Sequence, residues 1–149
     1  MGFVEAIKSG FSKYVTFSGR ASRSEYWYWV LFVVIVQIIG NILDALAGTR
    51  IRSTDVTTAT GETVTVWTST YNNVGYISGI VGLILLLPSI SVAVRRLHDT
   101  DRSGWWWWLN LIPCVGWIIL IVFYVLPGTP GPNRFGPPPV PAGQYRPAR

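Results

Sequence analysis

Three apolar tracts, each long enough to matter to a bilayer, divide the chain: Trp27–Leu43, Gly75–Val94 and Trp105–Leu126. Ser22 and Glu25 stand at capping-box spacing just before the first tract, so a helix is predicted over 23–47. A helix of that length crosses a hydrocarbon layer about 30 Å thick. The second span is predicted over 75–94, with Pro88 as a kink. Gly75 with Gly79, and Ser78 with Gly82, form small-residue pairs that admit another helix backbone, from this chain or a second copy.

The third tract, 105–126, is interrupted by Asn110, Pro113 and Gly116. It reads either as one span or as a hairpin that re-enters the membrane at Pro113. Before the first span, Phe3, Ile7, Phe11 and Val15 recur at i+4 steps, predicting an amphipathic interfacial helix over 3–18. Residues 48–74 change character. Their Thr- and Val-rich runs flank Thr60-Gly61, a pattern that predicts a small β-hairpin-like insertion. From Pro127 to Arg149 the chain is rich in Pro and Gly and reads as an extended or disordered tail. The resulting fold class is an all-α membrane protein: a single helical membrane domain over 1–126, then the tail.

Composition sharpens that reading. Of 149 residues half are hydrophobic and 13% charged, against about 25% charged in soluble domains. Eight tryptophans suit the headgroup zone. The net charge of +5 does not mark a nucleic-acid binder, because the basic residues flank apolar tracts. Four Lys and Arg precede the first span or open it, two lie in the 48–76 loop, three in the 95–104 connection and three in the tail. The positive-inside preference therefore places the N-terminus and the 95–104 connection in the cytoplasm. Three straight spans would leave the basic tail outside, whereas a bent third element brings it back, and the bent form is the one expected. Ala45-Leu46-Ala47 resembles a signal-peptidase site, but the long segment before the apolar run argues against cleavage. The lone Cys114 excludes an internal disulfide.

Three stretches carry a resemblance: Phe17-x-Gly19-Arg20-x-x-Arg23-x-Glu25-Tyr26-Trp27; Arg95-Arg96-Leu97-His98-Asp99 with Arg102-Ser103-Gly104-Trp105; and Gly128-Thr129-Pro130-Gly131-x-Asn133-Arg134-Phe135-Gly136. In them the chain resembles the bacterial inner-membrane family called domain of unknown function 805. Pro132 and Pro138 depart from its frequent acidic residues. The resemblance implies a multi-pass protein of the bacterial inner membrane and carries over no biochemical activity.

The candidate site is the polar group gathered at the span ends: Arg20, Arg23 and Glu25 before the first, and Arg95, Arg96, His98, Asp99 and Arg102 after the second. If the second helix continues through 99, Arg95 and Arg96 reach Asp99 at i+4 and i+3, and Glu25 pairs with an arginine of the connection. The favoured reading is an interfacial salt-bridge cluster. A second reading gives the arginines to anionic lipid headgroups. A third makes His98 a general base, but Asp99 is adjacent to it on a helix and does not face it. No catalytic residue, metal set or cofactor is assigned, since one histidine and scattered carboxylates supply no ligand cluster. The expected partners are membrane lipids and a second membrane protein or copy of this chain, with no nucleic acid. The expected role is a structural or interaction module. The alternative is a transport component with a polar face of Gln37, Asn41, Asp44 and Asn110.

Overall fold

The computed structural model describes residues 1–47 and 75–139. The hairpin expected within 48–74 and the end of the tail lie outside the described residues. Among the described residues the chain is helical: α1 (Phe3–Ser12), α2 (Arg23–Ala47), α3 (Tyr76–Asp99), a 3-10 helix η1 (Gly104–Leu111) and α4 (Val115–Val125). They fall into two compact units, one of residues 1–32 with 86–149 and one of residues 33–85.

Helices α2 and α3 are long and apolar enough to cross a membrane. Only 11% of the most apolar stretch of α2 and 33% of that of α3 is buried. A helix at the core of a soluble domain would hide such a stretch. Leu31, Val34, Ile35, Ile38, Ile39 and Ile42 of α2 instead lie exposed, which suits a hydrocarbon surround.

In the smaller unit, the Asp44 carboxylate caps α3, accepting from the backbone N–H of Ile77 at 2.9 Å and Ser78 at 2.8 Å. Those amides belong to the first turn, which has no partner of its own within the helix. Of the polar face offered by the transport alternative, Asp44 thus meets α3 backbone, and Asn41 Nδ2 donates to the Gln37 carbonyl on its own helix at 2.8 Å. The small residues act here too, since a Cβ on Gly40 would lie 3.2 Å from Ser78 Cα. Asp44→Ala is expected to cost about 1–3 kcal/mol, the penalty of burying unsatisfied amides. Thermal unfolding of the full chain in detergent checks it.

In the larger unit, α1 is shorter than the 3–18 predicted. Lys13 closes it with its N–H on the Ser9 carbonyl, and Ser91 Oγ lies within hydrogen-bond distance of the Lys13 and Thr16 carbonyls. Ala6 and Gly10 are its buried residues, while Phe11 packs edge-on against Trp29 and Phe32. Trp29, one of the tryptophans expected to suit the headgroup zone, is instead 1% exposed and donates its indole N–H to Ser89 Oγ. Glu25 N–H bonds Ser22 Oγ, one half of the predicted capping box, while the Glu25 carboxylate turns to Arg95 and Ser9.

The third tract is two helical legs. Trp106 meets Phe123 edge-on and the Trp117 indole N–H reaches the Asn110 carbonyl, so the legs run antiparallel. Between them the Val115 N–H bonds the Pro113 carbonyl at 2.8 Å around Cys114 at φ 63°, ψ −71°. That is a γ-turn of the rare, strained hand. Leu120 and Tyr124 of α4 bury against Ala93 and Leu97 of α3.

Candidate functional site

The site begins where α3 ends. Asp101 N–H bonds the His98 carbonyl and Arg102 N–H the Leu97 carbonyl, both at 3.0 Å, the paired bonds of a Schellman cap. The left-handed position that such a cap needs is held by Asp101 at φ 58° instead of by glycine. Helix α3 therefore carries Arg95 to Asp99 as its last turn, and the predicted membrane-surface connection shrinks to residues 100–103.

Within that turn the charges pair as two separate sets. Asp99, 4% exposed, gives one carboxylate oxygen to Arg20, at 2.8 Å from Nη2 and 2.9 Å from Nε, and the other to Arg96 Nη1. The i+3 pairing of Arg96 with Asp99 is the one the sequence suggests. Arg95 does not pair with Asp99; it bonds Glu25 at 2.8 Å, and Glu25 also accepts from Ser9 Oγ. Helical spacing offered both arginines to Asp99. The Ser22-capped start of α2 brings a second carboxylate to Arg95 and splits them.

The remaining donors of Arg20 and Arg96 reach main-chain carbonyls of the chain's last described stretch. Arg20 donates to the carbonyls of Thr129 at 2.6 Å and Gly131 at 2.7 Å, and Arg96 to those of Tyr124 and Leu126. Thr129 N–H returns a bond to the Asp99 carbonyl at 2.9 Å, and Asn133 Nδ2 bonds the His98 carbonyl at 2.9 Å. Phe135 lies flat on the His98 ring, centroids 3.9 Å apart. A Cβ on Gly128 would run into the Asp99 carboxylate, so glycine there lets the backbone close over it. Residues 128–136, expected to be extended or disordered with the rest of the tail, are the lid of this polar core. Composition misled because Pro and Gly here shape a docked turn. Thr129, Asn133 and Phe135 were missed as site residues, although the third resemblance stretch contains them.

Arg20, Arg95 and Arg96 are at most 6% exposed, and Glu25 is buried with them. Arg23 is exposed at the start of α2, and Arg102 bonds the Thr100 carbonyl with its guanidinium 4.0 Å above Phe123. His98 Nδ1 lies 3.2 Å from the Gly19 carbonyl. Of the eight candidates, then, six are buried, with Arg20, Arg96 and Asp99 in one set, Glu25 and Arg95 in a second and His98 beside them, while Arg23 and Arg102 stand at the margin. Among the described residues there is no cluster of three metal-ligating side chains.

Against known proteins, a family model described as Protein of unknown function (DUF805) matches residues 14–137. Inner membrane protein YhaH of Escherichia coli K12 is 44% identical over 126 residues, covering 85% of this chain and 88% of that protein. Inner membrane protein YhaI of the same organism is 38% identical over 123 residues, 83% and 85% of the two chains. No solved structure matches.

Proposed function

Since the chain belongs to the DUF805 family, whose relatives named above are inner membrane proteins, we propose that it is a small multi-pass module of that membrane, structural in role and acting through contacts with another membrane protein or a second copy. In this reading α2 and α3 are its two crossings, and η1 with α4 is a re-entrant hairpin. Eight residues of 3-10 helix at about 2.0 Å each, and eleven of α-helix at about 1.5 Å, give two legs of about 16 Å. Each leg reaches halfway into a core of about 30 Å. Both ends of the hairpin are tied to the last turn of α3, by Arg96 on the Leu126 carbonyl and by the 100–103 connection. The N-terminus, the polar core and the tail then share the cytoplasmic side, which resolves the charge conflict.

The observation that carries the reading is the enclosure of Arg20, Arg95 and Arg96. Arg20 and Arg96 face the Asp99 carboxylate and main-chain carbonyls, and Arg95 the Glu25 carboxylate, which favours a register-fixing core over a headgroup-binding cluster. Asp44 and Asn41 are likewise engaged by neighbouring backbone, which weighs against the transport alternative. Gentle detergent extraction tests the module. The chain is expected to elute in a defined complex with a second protein or copy, and a monodisperse single chain would count against it. The same preparation with Arg96→Gln is expected to show less folded protein and an unchanged anionic-lipid content per folded chain. A folded variant that has lost anionic lipid would restore the headgroup reading.

A further inference from the structure

Beside the polar core lies an open groove of about 510 Å³ lined by Phe17, Val94, His98, Ser103, Gly104, Trp105 and Trp108. Its walls are apolar and aromatic, and Trp105 is 77% exposed. In a membrane protein such rings sit at headgroup level. One polar ring enters it.

His98 is fixed from two sides, by Phe135 stacked parallel on its face and by the Gly19 carbonyl at Nδ1. A carbonyl oxygen only accepts, so Nδ1 must carry the proton. In the neutral ring Nε2 is then a lone-pair acceptor. A Cβ added at Gly104 would lie 3.5 Å from that Nε2 and 2.8 Å from Val94 Cγ1, so glycine keeps the approach from the groove open. The groove thus offers an acceptor held in fixed orientation at the edge of an aromatic slot.

An acceptor selects a donor. Ammonium donors are disfavoured by the nearest cation: Arg134 sits 4.8 Å over the Phe135 ring that covers His98, offset only in part by its loose, exposed pairing with Asp101. A hydroxyl carries a proton without that penalty, and a phosphodiester behind it would enjoy the same field. We infer that this groove binds a bilayer phospholipid whose headgroup ends in a hydroxyl, of the phosphatidylglycerol kind, with the hydroxyl donating to His98 Nε2 and the glycerol backbone against Trp105 and Trp108. This site is separate from the enclosed arginine core and does not rest on the module reading.

The test separates hydroxyl from charge. The full-length protein is exchanged into detergent doped equally with phosphatidylglycerol, phosphatidylmethanol (same charge, no hydroxyl) and phosphatidylethanolamine, and retained lipid is read by native mass spectrometry. Phosphatidylglycerol is expected to exceed phosphatidylmethanol by about tenfold, the size of a single well-placed hydrogen bond. His98→Phe keeps a flat ring for Phe135 and should bring the ratio to about one. Should that variant not fold, Gly104→Ala narrows the approach to Nε2 and should cut the ratio likewise. Trp105→Ala should lower retention of all three. Equal retention of the two anionic lipids by the wild type, ethanolamine lipid held as well as glycerol lipid, or a preference that survives the folded His98 or Gly104 variant, each overturns the assignment.

Discussion

Asp99→Asn is expected to destabilise the folded chain by about 3–5 kcal/mol, the cost of leaving buried charges without their partner. One carboxylate here serves two guanidiniums, Arg20 on one oxygen and Arg96 on the other. An amide has a single acceptor oxygen and would turn N–H donors toward the second guanidinium. The loss should spread to the lid, because the same arginines hold the carbonyls of Leu126, Thr129 and Gly131. Two measurements check it: thermal unfolding in detergent, and the rate of limited proteolysis within 128–136, which should rise. Asp101→Asn is the control. Its bond to Arg134 spans 3.3 Å between side chains 62% and 49% exposed, and such pairs contribute about 0–1 kcal/mol. Similar losses in the two variants would mean that Asp99 does not organise the core.

The second large effect concerns Glu25 and Arg95, and it should be reversible. Glu25→Gln alone leaves the buried Arg95 guanidinium without a counter-charge and is expected to cost about 3–5 kcal/mol. Among the described residues Arg95 Nε and Nη2 find no hydrogen-bond partner, so this arginine is poorly compensated even with Glu25 in place. Arg95→Met added to Glu25→Gln removes the stranded charge while keeping much of the side-chain volume, and the glutamine still accepts from Ser9. The double variant is therefore expected to recover to within about 1 kcal/mol of the parent. A double-mutant cycle in detergent unfolding reads this directly. Additive losses would show that Glu25 and Arg95 act independently and would overturn the predicted pairing.

How far the sequence disclosed this architecture depends on the kind of signal. Helix α2 begins at Arg23, where the capping pair places it, and is helical through Ala47, the last described residue before 75, since the capping cue is local. Helix α3 overshoots its apolar tract by five residues because Arg95 to Asp99 find internal partners, and charge alone had suggested a surface turn. Partner choice was half visible: i+3 spacing gave Arg96 to Asp99, but Arg95 had to be decided by where α2 starts in space. The docking of 128–136 was hidden. It rests on main-chain carbonyls accepting from arginines about a hundred positions away, and carbonyls are the same in every residue. Asp44 was read as one member of a polar stripe for a similar reason, because its partners are amides and not side chains.

The separation of those partners also sets an order on biosynthesis. Arg20 is 79 positions from Asp99 and 111 from Gly131, so its guanidinium leaves the ribosome long before anything exists to receive it. Throughout elongation it has to stay hydrated or among headgroups, which keeps the N-terminal segment out of hydrocarbon until its partners are made. A chain truncated after Pro127 would present Arg20 with Asp99 but none of the lid carbonyls, so its guanidinium is fully satisfied only once residues 128–136 have been made.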